Sequence, residues 1–211
     1  MGIWIYSRMN TEPILVNPVI NPMMKILFLG YSPLKTIFIN ELIKAKCEIW
    51  HTENNILSTA GYDLVVSYGY KHIIKDDVIK GSIAPIINLH MSYLPWNRGA
   101  HPNFWSFYDN TPIGITIHLI DANIDEGPIL YQKNVVFTKD EVTFSKTYQR
   151  LLIELEILFK ENIHEIITKE FIQKPQIGKG SFHKKSDLPR EFNGWDSSIS
   201  IEIKRLHNIL K

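Results

Sequence analysis

Three side chains that could carry out acyl-group chemistry stand near the ends of two apolar segments. The apolar segment 85–89 contains Asn88 near its end and is followed by His90. The segment 113–120 precedes a turn that ends in Asp125. An amide donates hydrogen bonds while staying neutral, an imidazole titrates near neutral pH, and a carboxylate can orient a partner. Together these groups can stabilise the charge and move the proton of an acyl-type transfer that uses no covalent nucleophile.

The residues around these groups form a two-part motif. The first part reads Asn88-Leu-His90-Met-Ser-Tyr-Leu-Pro and continues to Gly99, and the second reads Asp125-Glu-Gly-Pro-Ile129. Both parts resemble the signature of the folate-dependent N-formyltransferases, Asn-x-His-x-Ser-x-Leu-Pro…Gly followed by Asp-x-Gly-x-Ile or Val. Two matches in this order are far more specific than one short motif.

The resemblance implies a mechanism and assigns roles by motif position. N10-formyltetrahydrofolate would give its formyl group to a primary amine, and Asn88 would donate hydrogen bonds to the oxygen that becomes negatively charged. His90, assisted by Asp125, would stabilise the intermediate or move the amine proton. Which of the two is the final base stays open, because interacting groups titrate as a pair. The family's pterin-binding loops correspond to residues in two turns of this chain: Tyr70, His72, Ile73, Asp121 and Asn123.

The apolar pattern predicts alternating strands and helices. The predicted strands are 25–30, 47–51, 62–67, 83–89, 113–120 and 129–137, and the predicted helices are 34–46, 73–80, 102–108, 143–168 and 197–211. Near-continuous apolar strands indicate a sheet that is covered on both faces. We therefore expect an α/β fold with a doubly wound, mostly parallel sheet and a short C-terminal tail. In such sheets ligands bind beyond the carboxyl ends of strands, and all three candidate side chains follow such ends.

Length and composition indicate one globular domain. The chain has 211 residues, of which 45% are apolar and 21% charged, as is usual for a single core. Residues 1–23, with three prolines, are interpreted as an N-terminal extension outside the core; an arm packed on the surface is the alternative. Residues 24–170 would form the catalytic domain, and residues 171–211 a tail with a substrate loop and a helix.

Charge and cysteine content restrict the partners. A net charge of +1 provides no overall field for nucleic acid. The single Cys47 excludes an internal disulfide and fits a cytoplasmic setting. No apolar run reaches the roughly 20 residues that a membrane helix needs. We expect a cytoplasmic homodimer that binds neither nucleic acid nor membrane.

Other chemistries fit the sequence less well. His90, His101 and His118 lack the close spacing of common zinc ligands, so no metal is expected. Ser92 is not part of a Gly-x-Ser-x-Gly elbow. Pro33 follows the first strand where a dinucleotide-binding loop would need glycines, which disfavours a nicotinamide or flavin cofactor. His118 matches a frequent position of the family but lies inside a strand, and a structural hydrogen bond is the favoured interpretation.

Residues outside the shared core favour a nucleotide-linked amino sugar as the acceptor. The first turn lacks the phosphate loop of glycinamide ribonucleotide formyltransferases, and the chain after Asp125 is too short for the C-terminal barrel of methionyl-tRNA formyltransferases. Residues 94–105 and 182–196 look like the branch that formylates amino-dideoxy sugars for surface polysaccharides. A dTDP-linked 4-amino-4,6-dideoxyhexose is the expected acceptor, with contacts from Lys71, Trp96, Asn97, Arg98, His183 and Lys184. Formylation of another amine and a non-catalytic folate-binding regulatory domain remain alternatives.

Overall fold

The computed structural model describes residues 3–5, 14–16, 23–139 and 141–210. Near the N-terminus, β1 (Ile3–Ile5) and β2 (Ile14–Val16) pair antiparallel with each other in a two-stranded sheet of their own. The other residues of the predicted extension before Met23 lie outside the described residues. That the extension stands apart from the core therefore stays a prediction.

A six-stranded mixed sheet forms the centre of the fold. In spatial order its strands are β4 (Glu48–Thr52), β3 (Lys25–Gly30), β5 (Leu64–Tyr68), β6 (Ile86–His90), β8 (Gly114–Leu119) and β9 (Ile129–Asn134), while the short β7 (Arg98–Gly99) pairs with β10 (Phe182–His183). The first three neighbouring pairs of the large sheet are parallel, whereas β6–β8 and β8–β9 are antiparallel. The predicted α/β fold is confirmed, and its sheet is mixed at one side.

Helices pack on both faces of this sheet. They are α1 (Phe38–Lys44), α2 (Asp76–Lys80), α3 (Pro102–Tyr108), α4 (Phe144–Glu161), α5 (Ile163–Thr168) and α6 (Ile199–Ile209). Strand side chains alternate between the faces: Ile26 and Phe28 enter the cluster formed with α1, α4 and α5, whereas Leu27 and Leu29 pack towards α2. Within the described residues, no helix combines the length and apolar character needed to cross a membrane.

The predicted helices differ from the structure in their bounds, except for Pro102–Tyr108: those expected over 73–80 and 197–211 are observed at Asp76–Lys80 and Ile199–Ile209. The helix expected over 34–46 begins only at Phe38, because residues 33–35 form a turn that leaves Leu34 exposed. The helix expected over 143–168 is interrupted at Asn162, whose side-chain amide donates to the Leu158 carbonyl oxygen at 2.7 Å. A side chain that binds its own helix in this way competes with the backbone ladder and favours a break.

The C-terminal helix packs against an aromatic cluster on the side of α3 and α4. Leu206 of α6 is fully buried against Phe104, Trp105 and Phe144. Phe104 packs in turn on Phe192 of the preceding loop, with ring centroids 5.0 Å apart. The tail predicted for residues 171–211 is therefore attached to the domain by apolar burial.

A buried carboxylate fastens the start of α6. Glu202 accepts hydrogen bonds from the backbone N–H and the side-chain amide of Asn193, both at 2.9 Å, and from Arg205 Nε at 3.0 Å. The bonds from Arg205 lower the pKa of Glu202, burial opposes them, and the Asn193 bonds add to the lowering, which leaves a pKa of about 2. The ionised carboxylate therefore stabilises the folded state.

Replacement of Glu202 by glutamine is expected to lower the free energy of unfolding at pH 7 by about 2 kcal/mol, since charge-assisted hydrogen bonds are lost. A lowered folded-state pKa makes the stabilisation complete above the usual value of 4.5 and removes it as the pH falls towards 2. Urea unfolding of the wild type and Glu202→Gln at pH 7 and pH 3 measures this difference, with the exposed Glu161→Gln as control. A deficit of equal size at both pH values would contradict the assignment.

Candidate active site

Two neighbouring strands carry three polar side chains on one face of the sheet. Along β6, Ile87 and Leu89 enter the core, so the alternating Asn88 and His90 point to the opposite face. In the antiparallel register of β6 and β8, His118 lies directly opposite Asn88 and therefore shares its face. The Asn88 amide and the imidazoles of His90 and His118 thus lie on the face of the sheet that α2 covers.

Asp125 reaches this face by a route that the sequence did not indicate. Because β8 runs antiparallel to β6, its carboxyl end pairs with Ile87 and does not lie at the edge where β6 ends. The loop after β8 folds back, and Asp125 adopts a left-handed conformation with φ 53°. Gly127 allows the fold-back, since a Cβ there would stand 1.9 Å from the Leu119 carbonyl oxygen. Asp125 thus follows the carboxyl end of β8, as predicted, but this end lies at the opposite edge of the sheet from the end of β6.

The Asp125 carboxylate lies between the two imidazoles. Its Oδ1 accepts a hydrogen bond from Asn88 Nδ2 at 3.2 Å and stands 3.4 Å from His118 Nε2. Its Oδ2 accepts from the Gly99 backbone N–H at 2.9 Å and stands 3.7 Å from His90 Nε2. The three predicted catalytic residues are therefore brought together, and His118 joins them.

Hydrogen bonds to backbone carbonyls define the imidazole tautomers. His118 Nδ1 donates to the Leu119 carbonyl oxygen at 2.8 Å, and its Nε2 lies 3.3 Å from Asn88 Nδ2 and 3.4 Å from Asp125 Oδ1. His90 Nε2 donates to the Asn97 carbonyl oxygen at 3.4 Å, so Nδ1 is the acceptor of its neutral ring. The predicted structural bond of His118 is present, together with a contact to the site that was not predicted.

The Asn88 amide faces inward in this arrangement. Its two N–H groups are directed at Asp125 and His118. The predicted hydrogen bond from Asn88 to a reacting oxygen would therefore have to replace one of these two contacts as substrate enters. Without substrate, the Asn88 amide links the Asp125 carboxylate to the His118 imidazole.

Burial and neighbouring groups set the charge states. Burial alone would raise the pKa of Asp125, but the imidazoles of His90 and His118 and the Gly99 amide outweigh it and hold that pKa far below its usual range. Burial lowers the pKa of His90, and the Asp125 carboxylate opposes this shift without reversing it. At neutral pH the site therefore holds an ionised carboxylate and a neutral His90.

A cavity of about 680 Å³ opens beside these groups. Asn88, His90 and Asp125 line it, and so do all residues predicted to contact folate, namely Tyr70, His72, Ile73, Asp121 and Asn123. Of the predicted acceptor contacts, Lys71, His183 and Lys184 also line this cavity. Within the described residues, no group of His, Cys, Asp or Glu is arranged to hold a metal ion.

The other predicted acceptor contacts do not line the cavity. Trp96 is half-buried, and the fully buried Asn97 donates from Nδ2 to Thr111 Oγ1 at 2.8 Å and from its backbone to Ser181 Oγ at 2.8 Å. The Arg98 side chain is only 12% exposed and is paired within the protein. Asn97 and Arg98 therefore hold the loop that surrounds the site. Neither lines the cavity, and their contact with the acceptor stays a prediction.

The basic side chains at the cavity differ in how firmly the protein holds them. The His183 ring stacks on Trp105 at 3.9 Å, and its Nε2 lies 2.8 Å from an Asp109 carboxylate oxygen. His183 is therefore fixed in the wall, whereas Lys71 and Lys184 are exposed and able to meet an anion.

A second cavity of about 530 Å³ lies on the side where Met91 follows His90. Its aromatic lining consists of His101, Phe144, Tyr148 and Trp195. Burial, and then the charge of Lys185, lower the pKa of His101. Because Lys185 also lines the larger cavity, the segment that carries it lies close to both.

Sequence reasoning missed two contributors to the site. The contacts of His118 with Asn88 and Asp125 depend on the register between β6 and β8. The match of His118 to a frequent family position was the one signal in the sequence. Gln176 donates to the Asp125 and Gly127 carbonyl oxygens at 2.7 and 2.9 Å, and no motif singles it out.

Comparison with known proteins places the chain among formyltransferases. Residues 32–163 match the sequence family described as formyl transferase. A dTDP-4-amino-4,6-dideoxyglucose formyltransferase from Mycobacterium tuberculosis is 32% identical over 128 residues, which are 60% of this chain and 53% of that protein. A methionyl-tRNA formyltransferase from Thermodesulfovibrio yellowstonii is 30% identical over 119 residues, 56% of this chain and 38% of that protein. The chain spans about half or less of the length of these curated relatives.

One solved structure covers most of both chains. The formyltransferase PseJ from Anoxybacillus kamchatkensis, in complex with UDP-4,6-dideoxy-4-formamido-L-AltNAc and tetrahydrofolate, has a TM-score of 0.76 at 35% identity. The similarity covers 83% of this chain and 96% of that chain.

Proposed function

The chain belongs to the formyl transferase family, and on that premise we propose that it transfers a formyl group from N10-formyltetrahydrofolate to the primary amine of a nucleotide-linked amino sugar. The observation that carries the proposal is that Asn88, His90 and Asp125 lie together on the wall of the 680 Å³ cavity, with the buried His118 in contact with Asn88 and Asp125 behind them. This cluster supplies a neutral donor, a neutral imidazole and an ionised carboxylate.

The larger cavity fits the formyl donor. Its volume is within the range of about 300 to 1,000 Å³ that is usual for small-molecule sites. Tyr70, His72, Ile73, Asp121 and Asn123 would hold the pterin, with the reactive end of the folate towards His90. Tyr70 is itself braced, since its hydroxyl donates to the Asn54 carbonyl oxygen at 2.7 Å.

The side chains of the site provide for the charge and the proton of the transfer. An N–H of Asn88 would stabilise the negative charge on the formyl oxygen, at the expense of one of its present contacts. Asp125, ionised and 3.7 Å from His90, would orient that imidazole and favour a positive charge near the attacking amine. Nδ1 of the neutral His90 is the position able to accept a proton.

For the acceptor we propose a 4-amino-4,6-dideoxyhexose on a pyrimidine nucleoside diphosphate. The relatives support this: the mycobacterial enzyme is named for a dTDP-linked 4-amino-4,6-dideoxy sugar, and PseJ holds a UDP-linked 4-formamido-4,6-dideoxy sugar. In this chain Lys71, Lys184 and Lys185 offer charges for the diphosphate. The aromatic side chains of the second cavity, above all Trp195, offer a surface on which a base can stack.

The cellular location and the oligomeric state of the enzyme are two further proposals. We propose a cytoplasmic enzyme, since the single Cys47 is a free, buried thiol, and a homodimer. Sedimentation equilibrium would measure the oligomeric state directly, and a monomer at micromolar concentration would contradict the second part.

A mass-spectrometric assay tests the acceptor. The purified protein is incubated with N10-formyltetrahydrofolate and, in separate reactions, the dTDP-linked and UDP-linked 4-amino sugars, glycinamide ribonucleotide and methionyl-tRNA. Faster formylation of a sugar nucleotide than of the other two is expected. Preference for glycinamide ribonucleotide or methionyl-tRNA would overturn the acceptor, and folate binding without turnover would favour a regulatory domain.

Replacement of Lys184 by alanine is expected to raise KM for the sugar nucleotide about tenfold and KM for the folate less than about threefold, because an exposed charge pairs with phosphate. Lys179→Ala removes another exposed lysine of the same tail and is the matched control. Equal changes in the two KM values would remove Lys184 from the acceptor site.

A further inference from the structure

The segment between α5 and the final loop runs along the two loops that build the site. Lys174 bridges to Ile129 just after the Asp125 loop, with backbone N–H···O bonds of 2.8 and 2.7 Å. Further on, Ser181 binds Asn97, and β10 pairs in parallel with β7. Residues 174–183, here named the strap, therefore connect the loop that carries Asp125 to the loop that carries Gly99.

Gln176 is the point where the strap contacts the Asp125 loop. Its Nε2 donates to the carbonyl oxygen of Asp125 at 2.7 Å and to that of Gly127 at 2.9 Å. The two N–H groups of the Gln176 amide thus bind the carbonyl oxygens of the residues before and after Glu126. The contact fixes the backbone at Asp125, where φ is 53° and an L residue needs external support.

Arg98 fixes the other end of the same amide. Its Nε and Nη2 both donate to Gln176 Oε1, at 3.1 and 3.0 Å, and its Nη1 donates to Glu126 Oε1 at 3.0 Å. A planar guanidinium holds an oxygen in such a forked geometry better than a lysine could. The next residue, Gly99, donates its backbone N–H to Asp125 Oδ2 at 2.9 Å.

We propose that Gln176, oriented by Arg98, is a positioning residue that keeps the Asp125 carboxylate between His90 and His118. It acts through the backbone of Asp125, while Gly99 holds the carboxylate itself. This inference rests on the proposed formyl transfer, because the importance of the Asp125 position comes from that reaction. A small displacement of a catalytic group costs much of its effect.

Two substitutions at one position separate the two ends of the amide. Gln176→Ala removes all four hydrogen bonds, whereas Gln176→Glu keeps an acceptor for Arg98 and turns an oxygen towards two carbonyl oxygens. Both variants are expected to lower kcat at least about tenfold, with KM for the acceptor changed less than about threefold. Gln173→Ala, an exposed glutamine of the same segment, should keep the wild-type kcat. A Gln176→Glu variant with wild-type kcat would overturn the proposal.

A double-mutant cycle with Asp125→Asn shows whether Gln176 acts through Asp125. Once the carboxylate is absent, Gln176→Ala should lower the remaining kcat less than about threefold, because the group that it positions no longer contributes. A full tenfold loss in both backgrounds would mean that Gln176 acts independently, and would overturn the proposal.

Hydrogen exchange measures the loop without the reaction. Backbone amides of residues 121–127 are expected to exchange at least about tenfold faster in Gln176→Ala, while amides of β3, β5 and β6 keep their wild-type rates. Unchanged exchange in the loop would overturn the proposal. If the wild-type protein formylates no sugar nucleotide, the proposed function has failed, whereas the exchange result still decides whether Gln176 holds the loop.

Discussion

Replacement of His90 by alanine is expected to lower kcat for formyl transfer by at least about a hundredfold. The imidazole is 8% exposed, lies 3.7 Å from Asp125 and lines the larger cavity, so its loss removes a group that can stabilise charge and accept a proton at the reacting atoms. Asn88→Ala should cause a loss of similar size, since one preorganised donor is typically worth about 3 to 4 kcal/mol of barrier. Steady-state kinetics with saturating substrates measures both.

His164 provides a matched control for this prediction. It is an exposed histidine on α5, and His164→Ala should keep wild-type kcat and melting temperature. Circular dichroism of His90→Ala and Asn88→Ala should show an intact fold. Near-normal turnover in either variant would remove that residue from the catalytic set.

Asp125→Asn is expected to combine a loss of about a hundredfold in kcat/KM with a displaced pH profile. The Asp125 carboxylate raises the pKa of His90 against the effect of burial. Its removal lets that pKa fall further, so the acid limb of the profile, where His90 becomes protonated and activity is lost, should move to lower pH. The profile of kcat/KM between about pH 4.5 and 9 measures the displacement.

The exposed Asp77 of α2 serves as the control for this substitution. Asp77→Asn removes one negative charge, as Asp125→Asn does, and should leave kcat/KM and its pH profile unaltered. An acid limb of Asp125→Asn that stays at the wild-type position would refute the electrostatic link between Asp125 and His90.

Much of the fold and the chemistry could be predicted because local patterns determine them. The strand Lys25–Gly30 and the helix Pro102–Tyr108 have the predicted bounds, since an apolar run and an N-terminal proline are local signals. Asn88 and His90 were assigned together because both belong to one short motif, and residues two apart in a strand share a face.

What could not be predicted depends on contacts between distant segments. The antiparallel direction of β8 follows from its pairing with β6, and an apolar run carries no sign of direction. Asn97 and Arg98 stand inside the motif, yet they bind Ser181 and Gln176 in the strap, and no spacing rule relates residues so far apart. The partner of a polar residue beside a motif can therefore come from the tail, and only the structure shows this.

The strap lies outside the part of the chain that matches the family. That match ends at residue 163, whereas Gln176 binds the Asp125 loop from beyond that region. Substitutions in the strap would therefore change the position of the Asp125 carboxylate while Asn88, His90 and Asp125 themselves stay the same. A chimera that contains only residues 32–163 would include Asn88, His90 and Asp125 but would lack Gln176 and its two hydrogen bonds to the Asp125 loop.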